Sequence, residues 1–221
     1  MAKSDLLEKG AVLQRDKETY AVVPHMAGGL VTPAVLRKIA DVAEKYNAQA
    51  LKITSAQRLA IVGLKEEDLD NVWQELDMKP SAAIGLCVRS VKFCPGTAFC
   101  KRGQQDSVGL GLKLDERYHG LELPSKFKMG VSGCANSCGD NHFRDVGVMG
   151  TPKGFKLMAG GNGGVVPRIA KTLYEGLDEE QVLEKIDKIV KVYAGGAKKN
   201  ERLGKYIERI GLEEFKSQLG E

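Results

Sequence analysis

Residues 94–100 read CPGTAFC and residues 130–141 read GVSGCANSCGDN, and these two stretches hold four of the five cysteines of the chain. The cysteines are spaced C-x5-C and C-x3-C, with 33 residues between the two pairs. Iron in a metal-sulfur cluster prefers thiolate ligands held at fixed geometry. Glycine, proline, serine and asparagine surround the four cysteines, which is typical of loops rather than of core positions. The pattern therefore predicts the thiolate ligands of an iron-sulfur cluster.

Two other uses of paired cysteines fit this sequence poorly. Structural zinc sites use tight knuckles of two to four residues between cysteines, whereas the first pair here has five. Disulfides suit a secreted chain, but no apolar signal segment follows Met1. We therefore expect a reducing, cytoplasmic location. Cys87 stands outside both pairs in an apolar stretch, and we expect it to be buried in the core.

Composition narrows the function classes. The 221 residues include 33 Lys and Arg against 29 Asp and Glu, a net charge of +4, and the basic residues form no run with interleaved aromatics. This balance does not indicate a nucleic-acid partner. No apolar run approaches the roughly 20 residues of a membrane span. A local basic patch would instead suit a small anion or an acidic partner protein.

The order of predicted elements places a small α+β lobe before a loop-rich lobe. Thr32 is a plausible N-cap with Pro33 at the first helical position, so a helix is predicted over residues 33–46. The other predicted helices cover residues 66–76, 167–174 and 179–193, with a short one from Leu203 to Ile210. The predicted strands cover residues 20–23, 51–54, 59–62, 84–88, 126–131, 146–149 and 155–158.

We predict three parts in the chain. The β-α-β-β-α order of residues 1–80 suggests a ferredoxin-like half domain. The boundary is placed at Pro80 and Ser81. Residues 81–196 carry the cysteine loops, and residues 197–221 form a helical tail. The fold class is α+β, with the ferredoxin-like half domain followed by an α/β cofactor-binding domain.

Four longer strings make the sequence resemble a known family. They are CPGTAFCKRGQQDS (94–107), LPSKFKMGVSGCANSCGDN (123–141), DVGVMGTPKGFKLMAGGNGG (145–164) and the upstream TPAVLRKIADVAEKY with LKITSAQR (32–46 and 51–58). Together they resemble the siroheme and iron-sulfur module of the nitrite and sulfite reductase family. The resemblance implies a 4Fe-4S cluster on Cys94, Cys100, Cys134 and Cys138. It also implies that Cys138 is the proximal ligand of the siroheme iron.

The resemblance also gives roles to basic residues. Lys126 and Lys128 alternate on a strand, so both side chains should point to one face and Phe127 to the other. Family members place lysines of this strand, and an arginine at the position of Arg89, at the substrate anion. Arg58 lies in the segment that contributes an arginine from the first lobe, although Ala56 occupies the usual arginine position. These four residues are the predicted catalytic group, which binds the anion and feeds protons to it.

Four further residues are predicted to contact the cofactors. Lys101 and Arg102 would meet siroheme carboxylates or tune the cluster potential. Asn162 and Arg168 resemble siroheme contacts, with the alternatives that Asn162 organises a turn and Arg168 caps a helix. Because the chain has one module where larger family members have two, a homodimer is a possible way to complete the pocket.

The resulting hypothesis is a siroheme- and 4Fe-4S-dependent reductase. Its predicted reaction is the six-electron reduction of sulfite to sulfide, with electrons from a separate donor such as ferredoxin. Two alternatives stay open. The first is reduction of nitrite to ammonia on the same cofactors, and the second is a non-catalytic iron-sulfur electron-transfer protein.

Overall fold

The computed structural model describes residues 3–221, and these form two compact units. The first unit extends to Gly85 and the second unit is Leu86–Glu221. Helices and sheets are both present in each unit, which confirms the predicted α+β class. No helix among residues 3–221 is long and apolar enough to span a membrane.

The first unit is one antiparallel sheet with two helices. Its strands lie in the order β1-β2-β4-β3, so the last two strands form a hairpin that adds to the first pair. The strands are β1 (Ala11–Leu13), β2 (Tyr20–Val22), β3 (Ala50–Ile53) and β4 (Leu59–Leu64), and the helices are α1 (Pro33–Lys45) and α2 (Leu69–Leu76).

Helix α1 begins where its sequence predicts. The Thr32 hydroxyl accepts the N–H of Val35 at 3.3 Å, and Pro33 occupies the first turn. The helix buries Ile39 and Val42 in the core of the first unit. Such an apolar stripe stabilises a helix mainly through packing. The predicted helix over residues 33–46 is confirmed.

The second unit is a five-stranded mixed sheet in the order β5-β6-β7-β8-β9. The pairs β5/β6 and β6/β7 are parallel, and the remaining pairs are antiparallel. Helix α4 packs against β5 and β6, and α5 packs against β8. The elements are β5 (Val88–Phe93), α3 (Gly96–Phe99), α4 (Ser107–Tyr118), β6 (Phe127–Ser132), β7 (Val146–Thr151), β8 (Gly154–Ala159), β9 (Lys171–Leu177), α5 (Glu179–Gly196), α6 (Leu203–Ile210) and α7 (Leu212–Gln218).

A row of aromatic rings joins the last helices to the sheet. The ring centroids of Phe127 on β6 and Tyr193 on α5 are 5.5 Å apart. Tyr206 on α6 lies 6.1 Å from Tyr193, and Phe215 on α7 lies 6.1 Å from Tyr206. All four side chains are buried. Pairs at these distances add to the hydrophobic gain of burial, so the C-terminal helices are part of the core of the second unit.

Two predicted elements are wrong. Residues 171–177 form strand β9, paired with β8, where a helix was predicted over 167–174. Thr172 and Tyr174 favour a strand, and the preceding Arg168 is bridged to Asn162 by backbone hydrogen bonds that a helix would not allow. The strand predicted at 84–88 instead begins at Val88. Helix α4 was not predicted at all.

Candidate functional site

Both cysteine pairs follow the carboxyl ends of neighbouring parallel strands. Cys94 comes directly after β5, and Cys134 comes two residues after β6 ends. Phe93 is paired with Val131 in these strands, and the N–H of Cys94 donates to the Val131 carbonyl at 3.1 Å. Because the carboxyl ends of parallel strands meet at one edge of a sheet, the two cysteine loops start side by side.

The first loop is a tight helical turn that leads into α4. The N–H of Cys100 donates to the carbonyl of Gly96 at 2.9 Å. The Asp106 carboxylate caps α4 by accepting two backbone N–H groups. Next to it, the hydroxyl of the buried Ser107 donates to the Cys94 carbonyl at 2.8 Å. The start of α4 therefore fixes the backbone of the first cysteine.

The second loop is organised by Asn141, whose side chain is fully buried. Its Nδ2 group donates to backbone carbonyls of β6 and β7 at 2.8 and 2.5 Å. Its Oδ1 atom accepts the hydroxyls of Ser132 and Ser137, the latter at 2.9 Å. These two serines lie before Cys134 and Cys138 respectively, so one buried amide holds both ends of the loop.

Gly133 brings the two loops into contact. Its N–H donates to the Sγ atom of Cys94 at 3.1 Å, and its carbonyl accepts the N–H groups of Gln104 and Gln105 at 2.8 and 3.0 Å. A Cβ atom on Gly133 would lie 2.6 Å from the Cα atom of Gly96. Only glycine permits this close approach of two backbones. The residue before the second cysteine pair thus rests on the first loop.

The cysteines of the two loops are more exposed than Cys87. None of the five cysteines that the structure describes forms a disulfide bond; Cys94, Cys100 and Cys134 are partly buried and Cys138 is exposed. Cys87 is buried, as predicted.

A basic pocket lies near the start of β6. Lys126 is exposed, Phe127 is fully buried and Lys128 is half-buried, which agrees with the predicted alternation. A cavity of about 250 Å³ opens beside Lys128. Its lining consists of Lys128, Asp140, Phe143, Arg144, Gly163 and Arg202. We call this cavity the basic pocket.

The charges around Lys128 are predominantly positive. Burial lowers the pKa of its ammonium group below the ordinary 10.5, and the charges of Arg144, Arg202, Lys126 and Arg89 lower it further. An anion placed among these groups would relieve their repulsion. The pocket is therefore arranged to attract a negatively charged ligand.

Asp140 is the acidic wall of the pocket. Its Oδ2 atom accepts from Lys92 at 2.8 Å and from Arg144 at 2.8 Å. Burial acts to raise the pKa of Asp140, but hydrogen bonding and the charges of these two cations bring it below its ordinary 3.8. The carboxylate thereby fixes Arg144 at the pocket and neutralises only part of its charge.

The other predicted contact residues lie in three places. Asn162 is buried beside the pocket residue Gly163, and its Oδ1 atom has no hydrogen-bond partner among the described residues. Arg168 pairs with Glu208 on α6 at 2.8 Å. Lys101 and Arg102 are exposed directly after Cys100.

Arg58 belongs to the first unit, whereas the other predicted site residues belong to the second unit. It lies directly before β4, with its side chain buried. Its backbone N–H donates to the hydroxyl of Thr54 at 3.2 Å. Its predicted role at the anion stays a prediction.

Of the six residues that line the basic pocket, sequence reasoning found only Lys128; it also missed Asp145 beside the pocket. Arg144 and Asp145 follow the second cysteine loop, and Asp145 is the first residue of the string DVGVMGTPKGFKLMAGGNGG, which carries only the family resemblance. Arg202 lies in the predicted tail. No motif spacing indicates Arg202, because its link to β6 arises only from the packing of α5 and α6.

Comparison with known proteins gives consistent matches over nearly the whole chain. Residues 84–221 match the family model described as "Nitrite and sulphite reductase 4Fe-4S domain". Residues 12–79 match "Nitrite/Sulfite reductase ferredoxin-like half domain". The assimilatory-type sulfite reductase of Nitratidesulfovibrio vulgaris is 45% identical over 211 residues, covering 96% of this chain and 97% of that protein.

Two further relatives are matched over a smaller part of their own length. The NAD(P)H nitrite reductase of Bacillus subtilis is 41% identical over 211 residues, covering 96% of this chain but 26% of that protein. Among solved structures, dissimilatory sulfite reductase I matches with a TM-score of 0.81 at 16% identity, covering 91% of this chain and 69% of that chain. At that identity the structural match shows the fold alone.

Proposed function

Because the chain belongs to the nitrite and sulphite reductase family of oxidoreductases, which use a 4Fe-4S cluster and siroheme, we propose that it reduces sulfite to sulfide. The observation that carries this choice is the likeness to an assimilatory-type sulfite reductase along 97% of that protein's length. The nitrite reductase relative extends well beyond this chain, which spans 26% of it. Reduction of nitrite is the second candidate, because its 41% identity is close to the 45% of the sulfite reductase.

Four thiols are proposed to hold the cluster. Cys94, Cys100, Cys134 and Cys138 lie on loops that Gly133 joins through its contact with the first loop. The N–H of Gly133 points to the Cys94 sulfur at 3.1 Å, and such hydrogen bonds raise the reduction potential of iron-sulfur clusters. The free, partly exposed thiols fit this role, and a cytoplasmic location would keep them reduced.

The basic pocket and its neighbouring loop suit a polycarboxylate macrocycle such as siroheme. Lys128, Arg144 and Arg202 provide positive charge. The loop that continues from Gly163 exposes the apolar side chains of Val165, Val166 and Ile169, which a flat ligand would cover. The buried Oδ1 atom of Asn162, without a partner among residues 3–221, is a further group that a ligand would satisfy. Siroheme, when bound through Cys138, would supply an iron centre for electron transfer to the anion.

The protein's own contribution is to bind the anion and deliver protons. Reduction of bisulfite to hydrosulfide consumes six electrons and six protons and releases three waters. Lys126, Lys128 and Arg89 are proposed to bind the oxyanion. The lowered pKa of Lys128 makes its ammonium a better proton donor than an ordinary lysine. Arg89 is proposed to contribute its positive charge to this site.

Electrons are supplied by a separate donor, and we propose that this donor is a small acidic carrier such as ferredoxin. The exposed Lys101 and Arg102 next to Cys100 provide positive charge close to the proposed cluster. A homodimer that completes the pocket also remains a proposal, which sedimentation of the purified protein would test.

The proposed function is tested by visible absorption spectroscopy of the anaerobically purified protein. Siroheme should give an intense Soret band, and sulfite under a low-potential reductant should shift the bands and be consumed. Nitrite is added in a separate sample. Turnover of nitrite with an unchanged spectrum in sulfite would favour the second candidate. A cluster shoulder without a Soret band would refute both and leave the electron-transfer alternative.

Matched cysteine variants test the ligand assignment. Cys138→Ser should lose siroheme and much of the iron, because serine is a poor ligand for these metals. Cys87→Ala removes a buried cysteine outside both pairs and should keep both cofactors. Equal iron and siroheme contents in the two variants would contradict the assignment.

A further inference from the structure

Arg202 is hydrogen-bonded, through Asp145, to the strand that carries Lys128 of the basic pocket. Its Nε and Nη2 atoms donate to the two carboxylate oxygens of Asp145 at 2.8 and 2.5 Å. The same carboxylate accepts the backbone N–H of Lys128 at 2.8 Å. The Asp145 side chain is completely buried, and that of Arg202 is 17% exposed. One buried carboxylate therefore sets the relative positions of Arg202 and Lys128.

The chain around Arg202 is also held firmly. The hydroxyl of Tyr193 donates to the carbonyl of the preceding residue, Glu201, at 2.6 Å. Tyr193 packs on Phe127 of β6 and on Tyr206 of α6. The first residue of α6 follows Arg202 directly. A rotation of the arginine away from the pocket would require this packing to change.

The guanidinium of Arg202 keeps donors for a ligand. Its Nη1 atom makes no hydrogen bond to any part of the chain that the structure describes. Arg202 nevertheless lines the basic pocket together with Lys128 and Arg144. Since an arginine carries five N–H donors in a planar fork, the bonds to Asp145 leave others free for an oxygen ligand.

We infer that Arg202 is an additional anion-binding residue of the basic pocket and that Asp145 is its positioning residue. The ligand group is an oxyanion, either a carboxylate of the macrocycle or the small inorganic substrate. The assignment of the oxyanion to the macrocycle or to the inorganic substrate rests on the proposed function. The presence of an anion site at Arg202 does not depend on it. Asp145 acts through Arg202 and the Lys128 backbone and does not itself touch the anion.

The test compares Arg202→Met with Arg209→Met in the purified holoenzyme. Arg209 is a close control, because it also donates Nε and Nη2 to a buried carboxylate, Glu201, at 2.8 and 2.9 Å, but does not line the pocket. Two readouts are used: siroheme content per chain, and the dissociation constant of sulfite, fitted to the rise of the unfolding midpoint with sulfite concentration. The second needs no turnover.

Removal of a charge-assisted hydrogen bond should weaken anion binding about tenfold or more. If Arg202 binds a macrocycle carboxylate, Arg202→Met loses siroheme. If it binds the free anion, siroheme is retained and the dissociation constant of sulfite rises about tenfold. Either result supports the inference. Arg202→Lys, which keeps the charge, should recover part of the loss, and Asp145→Asn should resemble Arg202→Met.

The inference is overturned if Arg202→Met matches Arg209→Met in both siroheme content and sulfite binding. It is also overturned if both variants lose siroheme equally, because the loss would then follow from destabilisation alone. A wild-type protein that binds sulfite without reducing it would contradict the proposed function, while the comparison of the two variants would still decide the role of Arg202.

Discussion

Gly133→Ala should separate the two cysteine loops and prevent stable cluster binding. The new Cβ atom would lie 2.6 Å from the Cα atom of Gly96 and 2.8 Å from the carbonyl oxygen of Gln105. Both are backbone atoms, so no side-chain rotation can relieve the contact. Carbon atoms pack at about 3.5 Å or more, and the loops would have to move apart by about 1 Å. Metal sites need their ligands within about 0.5 Å of the correct position.

We expect iron and acid-labile sulfide per chain to fall severalfold in Gly133→Ala, together with the visible absorption of the cluster. The overpacking should also lower the free energy of unfolding by about 1–3 kcal/mol. Both quantities are measured on protein purified anaerobically in parallel with the wild type, by chemical analysis and by denaturant unfolding.

Gly195→Ala is the matched control. Gly195 lies in α5 and a Cβ atom there would have no neighbour within 4 Å, so alanine should leave the iron content unchanged and favour the helix by up to about 1 kcal/mol. Wild-type iron content in Gly133→Ala would refute the reasoning, because the close approach of the two loops would then not be needed for the cluster.

Three other predictions concern residues around the site. Glu201→Gln should lower the free energy of unfolding by about 2 kcal/mol near pH 7, because hydrogen bonding to Arg209 lowers the pKa of Glu201 from 4.5 to about 2. Denaturant unfolding should show this difference from wild type disappear as the pH falls from 4.5 through 2. In protein free of anions, Lys128→Met should raise the unfolding midpoint at pH 7, because the folded state binds the proton of Lys128 less tightly than the unfolded state does. The difference in midpoint between the variant and the wild type should shrink as the pH rises towards 10.5. Asn141→Ala should lower the free energy of unfolding in urea by about 2–4 kcal/mol, because its buried amide bonds the backbones of β6 and β7, and an unchanged midpoint would contradict this.

The sequence predicted the parts of the fold in which local signals and packing agree. Thr32 and Pro33 mark the start of α1, and the apolar stripe of that helix is buried as its spacing predicts. The family and its cofactors were also correctly predicted, because the spacing of the cysteines is specific. The roles of the individual basic residues remain predictions.

The failures occurred where tertiary context opposes local pattern. Helix α4 contains Gly109 and Gly111, which weaken its helical signal, but a Cβ on Gly111 would lie 2.3 Å from the ring of Phe93, so this position needs glycine for packing. Residues 167–174 have apolar positions at helical spacing, yet β8 offers an unpaired edge to which this segment adds as β9. Arg202 could not be found from spacing, since its partner Asp145 lies 57 residues earlier.

A ribosome translating this chain releases the first cysteine pair well before the second, because α4 and the segment that follows it separate β5 from β6. Until β6 pairs with β5, the nascent chain offers two isolated thiol pairs rather than one four-thiol site. Parallel pairing across such a crossover is slow to form. All four thiols therefore become available to one cluster only after synthesis has passed Cys138.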